Sequence, residues 1–263
     1  MLLRLLSCLL FLFLSLSGAA FSQAPEPLPE GIQIGLSTDN IYITSDFSGA
    51  DLTIFGALEN PDTQVLRQGR YDIVVVLEGP PRPTVVRKKN RVLGMWINTE
   101  SVAFKDVPAS YSLAMTRQPQ DITDAGSYRR LALRANNIFL QPLSPNTDET
   151  TLAEFSTALR ERKNAAGLYS ERIGGVQFLS QSLFRATLYL APHVPVGTHR
   201  ARAFLFRNGV FVKETSTNLT IRKAGLEQRL YEFAHNDGFT YGVLAVLLAM
   251  VTGWIGSLVF RKG

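Results

Sequence analysis

From Phe239 to Phe260 the chain carries no charged side chain, and Arg261, Lys262 and Gly263 follow immediately. At about 1.5 Å of rise per helical residue, such a run spans a hydrocarbon core of roughly 30 Å. Every backbone N–H and C=O inside a bilayer must be bonded internally, so a helix is the only form open to a single span. Tyr241 and Trp254 suit the interfacial belts, and the Arg-Lys pair favours the cytoplasmic side.

The other end agrees. MLLRLLSCLLFLFLSLSGAAFSQAPEP has a short positive start at Arg4, an apolar stretch from Leu5 to Leu16, and small residues from Ser17 to Ala24. This is the pattern of a secretory signal peptide, expected over residues 1–24, and its apolar run is short for a spanning helix. Leu-Leu-Ser-Cys around Cys8 resembles a lipoprotein box, but the apolar run continues beyond the cysteine instead of ending before it. Cleavage removes Cys8, the one cysteine, and with it thiolate catalysis, thiolate metal sites and disulfides. The expected topology is a type I single-pass protein with a spanning helix over 238–260 and a cytoplasmic tail at 261–263.

About two hundred residues lie between these ends, room for one large domain or two modest ones. The formal charge of +5 falls to +4 once Arg4 leaves with the leader. A secreted chain does not meet nucleic acid, so anionic headgroups or polysaccharide are the natural counterparts of that excess. IQIGLS, NIYITS and DLTIFGAL alternate apolar and polar residues, whereas YDIVVVLEG is almost continuously apolar, as in a strand covered on both faces. Asp39-Asn40, Ser48-Gly49, Asn60-Pro61 and Gly79-Pro80-Pro81 punctuate the strands as turns. TVVRKKNRV, GMWIN and SVAFKDV follow. Short strands at such intervals predict an immunoglobulin-like β-sandwich of one or two units: a first unit over 25–118 and a second over 119–224.

Within the second stretch, SPNTDETTLAEFSTALRERKNAAG predicts an inserted helix over about 148–166. Asp148 or Thr150 caps it, Leu152, Phe155 and Leu159 share a face, and Gly167 stops it. VQFLS, SLFRATLYLA, THRARAFLF and VFVKETSTNLTIRK return to strand pattern, the last two joined through Arg207-Asn208-Gly209. Asn-Gly between alternating strands is a strong hairpin signal. GLEQRLYEFAHND, residues 225–237, places Leu226, Leu230 and Phe233 on one face of a short amphipathic helix before the span.

The residues that carry chemistry are sparse. His193 and His199 lie six apart with no third ligand nearby. Asp121 and Asp124 fit turn capping better than a calcium loop. There is no Gly-x-Ser-x-Gly elbow, phosphate-cradling loop or His-Glu-x-x-His helix. No catalytic, cofactor-binding or metal residue is assigned. The segment VVRKKNRVLGMWIN is the one candidate contact. It reads as a hairpin whose solvated tip is the charged run, with Arg87, Lys88, Lys89, Arg91 and Trp96 available to an anion or a partner.

ITSDFSGADLTIFGALENP, GPPRPTVVRKKNRVLGMWIN, VPASYSLAMT and VPVGTHRARAFLFRNG together resemble the family called alphaproteobacterial putative transmembrane proteins. The resemblance covers nearly the whole mature chain and carries over no site residue. It implies a Gram-negative host, hence a periplasmic ectodomain anchored in the inner membrane, where the sequon at Asn218 has no role. It also implies an accessory role to a permease of the sulfite-exporter type. The expectation is therefore a non-enzymatic binding or accessory module for an integral-membrane partner such as a transporter. The alternatives are a binder of envelope ligands or polysaccharide and a periplasmic enzyme.

Overall fold

The computed structural model describes residues 28–36, 38–44, 47–225 and 233–260. The expected leader, residues 226–232 of the juxtamembrane helix and the tail at 261–263 lie outside the described residues. The protein is mainly β, with one long apolar helix at its C-terminal end.

The strands in chain order are β1 (Gly31–Leu36), β2 (Asn40–Ile43), β3 (Ala50–Glu59), β4 (Tyr71–Glu78), β5 (Pro81–Val92), β6 (Met95–Pro108) and β7 (Tyr111–Met115). They continue as β8 (Gln141–Pro142), β9 (Tyr169–Ile173), β10 (Val176–Phe178), β11 (Leu183–Leu190), β12 (Gly197–Arg207) and β13 (Val210–Lys223). The helices are α1 (Thr63–Arg67), α2 (Pro119–Ile122), α3 (Ala125–Arg130), α4 (Glu149–Ala165) and α5 (Gly238–Phe260). Asp148 caps α4 by accepting from the backbone N–H groups of Thr150 and Thr151. Asp124 does the same for α3 through Gly126 and Ser127, and Asp62 for α1 through Gln64 and Val65.

Three sheets form. One has the order β1-β3-β11-β10, a second β2-β13-β12-β4-β7-β9, and a third β5-β6-β8. Strands from both sides of residue 118 share the first two sheets, so the two stretches of chain interleave in a common body. The four-stranded sheet packs on one face of the six-stranded sheet. Ile54, Phe184 and Leu188 from the former meet Ile73, Val75, Ala203, Leu205 and Leu219 from the latter. The opposite face of the six-stranded sheet carries Val74, Val76, Leu113, Phe204 and Phe206. These are buried under Phe155 and Leu159 of α4, Ile122 and Tyr128, and Val102, Phe104 and Val107 of β6.

This double cover accounts for the unbroken apolar run of β4. Alternate side chains point to opposite faces, and both faces lie in a core. At the start of the β5–β6 hairpin, Gly79 donates its backbone N–H to Ser110 O at 2.8 Å. A Cβ there would collide with the Ser110 hydroxyl, so only glycine admits the approach.

Among the described residues one helix is long and apolar enough to cross a membrane: Gly238–Ser257, within α5, with none of that window buried against the rest of the protein.

Candidate functional site

The charged run is not a tip. Arg87, Lys88, Lys89 and Arg91 lie within strand β5, and the turn comes two residues after Arg91. Val92 pairs with Met95, leaving Leu93 and Gly94 as a two-residue loop with φ of 50° and 84°. Positive φ at both positions is the type I′ geometry whose twist matches that of paired strands. The expectation took five polar residues in a row for a loop. In an antiparallel ribbon they alternate between two faces, and both faces here are wet. MWIN and SVAFKDV form one strand, β6.

The register divides the predicted contact residues. Arg87 pairs with Ser101, Lys89 with Asn98 and Arg91 with Trp96, so these side chains stand on one face of the ribbon. Lys88 pairs with Glu100 on the other face and reaches α4, where its ammonium meets Glu154 at 2.7 Å. The Glu154 hydrogen bond and charge hold the Lys88 amine above the ordinary lysine range. A bulge between Lys88 and Lys89 leaves Thr99 unpaired, and Asn90 Nδ2 donates to its hydroxyl at 2.8 Å. The structure thus groups Arg87, Lys89, Arg91 and Trp96, and ties Lys88 elsewhere.

The sequence marks an apolar run beside the cations, and the structure shows that this run is exposed at the apex. Leu93 is 95% exposed, Trp96 68% and Met95 64%, with Val92 and Ile97 exposed beside them. Half of the hairpin therefore belongs to the body and half does not. Val102, Phe104 and Val107 near its base are buried, whereas every residue from Lys89 to Ser101 is exposed. The overlooked signal is the Leu-Gly pair. Leucine is a poor residue for a position with positive φ.

Elsewhere the polar groups serve the fold. His199 is fully buried, and its Nδ1–H donates to Gly197 O at 3.2 Å. That bond leaves Nε2 as an acceptor, and Ser110 Oγ–H donates to it at 3.3 Å. Burial holds the imidazole below the ordinary histidine range. The pair lies within the packed end of β12 beside Gly79, with no carboxylate on the ring. His193 is exposed, so the two histidines do not form a common site.

Asp72, 2% exposed, accepts from Thr116 Oγ1 and Arg117 Nε, each at 2.8 Å, and a second Arg117 nitrogen binds its other oxygen. A cavity of about 340 Å³ opens beside this pair, walled by Leu66, Tyr71, Val176 and Phe178. A larger cleft of about 740 Å³ near the end of β13 is rimmed by Arg82, His193 and Lys223. The Asp72 carboxylate beside the first is tied to Arg117, and among the described residues no carboxylate lines the second. Among the described residues no three His, Cys, Asp or Glu side chains converge as a metal site. Asp121 and Asp124 flank a turn, the latter as the α3 cap.

Residues 31–262, which include both the β body and α5, match the family described as "Putative transmembrane protein (Alph_Pro_TM)". The chain belongs to this family. No curated protein matches it. Body and span thus belong together as one family unit, and the description names a membrane topology rather than a reaction. For a member of the Alph_Pro_TM family, α5 is the candidate membrane-crossing helix among the described residues.

Proposed function

We propose that this protein is a non-enzymatic binding or accessory module tethered to the inner membrane, acting on an integral-membrane partner such as a transporter. The observation that carries the reading is the distal half of the β5–β6 hairpin. Some thirteen consecutive residues, from Lys89 to Ser101, leave the body and expose cations and large apolar groups. Tryptophan and arginine are over-represented where binding energy concentrates. A segment that contributes nothing to the core and exposes such residues has binding as its physical rationale.

In this reading the leader is removed, the ectodomain lies in the periplasm and the C-terminus is cytoplasmic. The ectodomain is an immunoglobulin-like sandwich. In support, β1-β3-β11-β10 set against β13-β12-β4-β7 follows the ABED and GFCC′ strand orders of that fold. β2, parallel to β13, extends the second sheet, and the long hairpin fills the connection between the C-like and C′-like strands β4 and β7.

The test is to purify the full chain from native membranes in mild detergent, once intact and once with residues 89–98 replaced by a short turn. Recovery of an integral-membrane protein with the intact chain and its loss from the shortened one is the expected result. Equal recovery from both, or recovery of no membrane protein, overturns the proposal.

A further inference from the structure

We infer that the apex of the β5–β6 hairpin enters the interface of an anionic lipid bilayer, giving the ectodomain a second membrane contact besides α5. This rests on the reading of the hairpin as the contact element and names what that element touches.

Four observations converge. The first is the turn. Leu93 has φ of 50°, a conformation costly for a bulky side chain, and it touches no core. Neither turn chemistry nor packing explains a leucine here, whereas burial in a second phase does. The second is distribution. Trp96 stands on one face of the ribbon, Val92, Met95 and Ile97 on the other, and Leu93 at the end, so apolar groups surround the apex. Immersion in lipid rewards apolar groups on every side of the apex.

The third is layering. Arg91, Lys89 and Arg87 follow behind the apex on one face at two-residue intervals, about 7 Å apart along the strand. An apex sunk 5–10 Å, roughly the depth of interfacial segments, brings Arg91 and then Lys89 level with the phosphates. Their alkyl stems stay on the apolar side while the charges rise to the headgroups.

The fourth is reach. The hairpin base and the end of β13 are at the same end of the six-stranded sheet. Glu78 pairs with Arg200, Gly197 with Ile221, and Arg82 Nη2 donates to Val196 O at 3.2 Å. From Phe233 onward the chain is already helical toward α5, with Asp237 N–H donating to Phe233 O and Tyr241 N–H to Asp237 O, each at 3.0 Å. The chain that leads to α5 therefore leaves the body at the end where the hairpin begins, and the fourteen residues of β6 make the hairpin about 46 Å long. Anchoring by α5 also keeps lipid at a high effective concentration around the apex.

The experiment uses the full chain carrying Trp254→Phe, which leaves Trp96 as its one tryptophan. It is reconstituted in nanodiscs of phosphatidylcholine alone or with phosphatidylglycerol, with and without lipids brominated near the headgroup. The expected result is bromine quenching of Trp96 in the anionic discs. It falls at least about twofold in zwitterionic discs, in about 0.5 M salt, and in the triple variant Arg87→Glu, Lys89→Glu, Arg91→Glu. Leu93→Asn lowers quenching to a similar degree while leaving the turn intact. Absence of quenching in every disc overturns the inference, and so does quenching that ignores lipid charge and all of these variants. Should Trp96 be unquenched by lipid yet crosslink to a polypeptide in native membranes, the lipid contact falls and the binding module stands. Loss of all membrane-protein recovery alongside retained quenching has the opposite meaning.

Discussion

Two hairpins in this protein close with the same backbone and opposite chemistry. β12 and β13 are joined by Asn208 and Gly209 at φ of 51° and 84°, and β5 and β6 by Leu93 and Gly94 at 50° and 84°. The first turn is tied into the body. Asn208 N–H donates to Arg70 O at 3.1 Å, and Thr123 Oγ1 donates to Gly209 O at 2.6 Å. Phe206, two residues before it, is fully buried, with its ring 6.0 Å from that of Phe211. The second turn touches nothing outside its own ribbon, and Trp96, two residues after it, is exposed. Asparagine tolerates positive φ because its short side chain bonds locally, while leucine has no such compensation. The turn that serves the fold has the residue the fold prefers. The turn with the costlier residue must be explained by something beyond the fold.

The sharpest way to break this contrast is to truncate the aromatic beside each turn. Phe206→Ala is expected to cost about 3–5 kcal/mol, a fall in Tm of about 10 °C. Trp96→Ala should stay within about 0.5 kcal/mol. Thermal unfolding of the two variants compares them directly, and a large loss at Trp96 would mean that the distal hairpin packs on the body after all.

Exchanging the tip residues probes the backbone alone. Asn208→Leu is expected to destabilise by about 1 kcal/mol, whereas Leu93→Asn is neutral or stabilising by up to about the same amount. Denaturant midpoints measure both. If Leu93→Asn proves the more damaging, leucine has a structural role the exposed tip does not reveal.

Removing the anchor of the first turn is of similar or smaller size. Thr123→Val eliminates the hydroxyl that holds Gly209 O, at about 1 kcal/mol. Hydrogen exchange should report the loss as faster opening of the β12–β13 end, with the β5–β6 ribbon unchanged.

Acidification separates the hairpins most gently. Burial keeps the His199 imidazole, on β12, below its ordinary pKa of 6.5. Between that value and the lower folded-state pKa the unfolded chain binds the extra proton, so the stability present above pH 6.5 is lost as pH falls. The β12–β13 pair should therefore lose exchange protection below that point, and His199→Gln should flatten the slope. The β5–β6 ribbon contains no histidine and is expected to show no such response there.

Several features were legible along the chain because they are local. Asp148 precedes a helix because an aspartate accepts from the first free N–H groups, and Asn208-Gly209 announces a hairpin because those residues accept positive φ. The apolar run of β4 told of two covered faces, yet not of what covers them. The contact site was only partly legible. Five candidates were named from composition, and the pairing register then set Arg87, Lys89 and Arg91 beside Trp96 while giving Lys88 to Glu154. No pattern in β5 alone announces a glutamate more than sixty residues away on α4. Leu93 was passed over because an exposed apolar residue and a buried one read alike in one dimension.

By itself, then, the order of residues determined the elements whose physics acts within a few neighbours: the apolar span, the strand alternation, the helix cap and the Asn-Gly turn. The tertiary structure alone decided which strands interleave, which charges meet, and that the far half of one hairpin stands clear of the core. Burial and pairing are properties of groups brought together from distant parts of the chain. Their energies depend on what excludes water at each atom, which is settled only when the sheets close on one another.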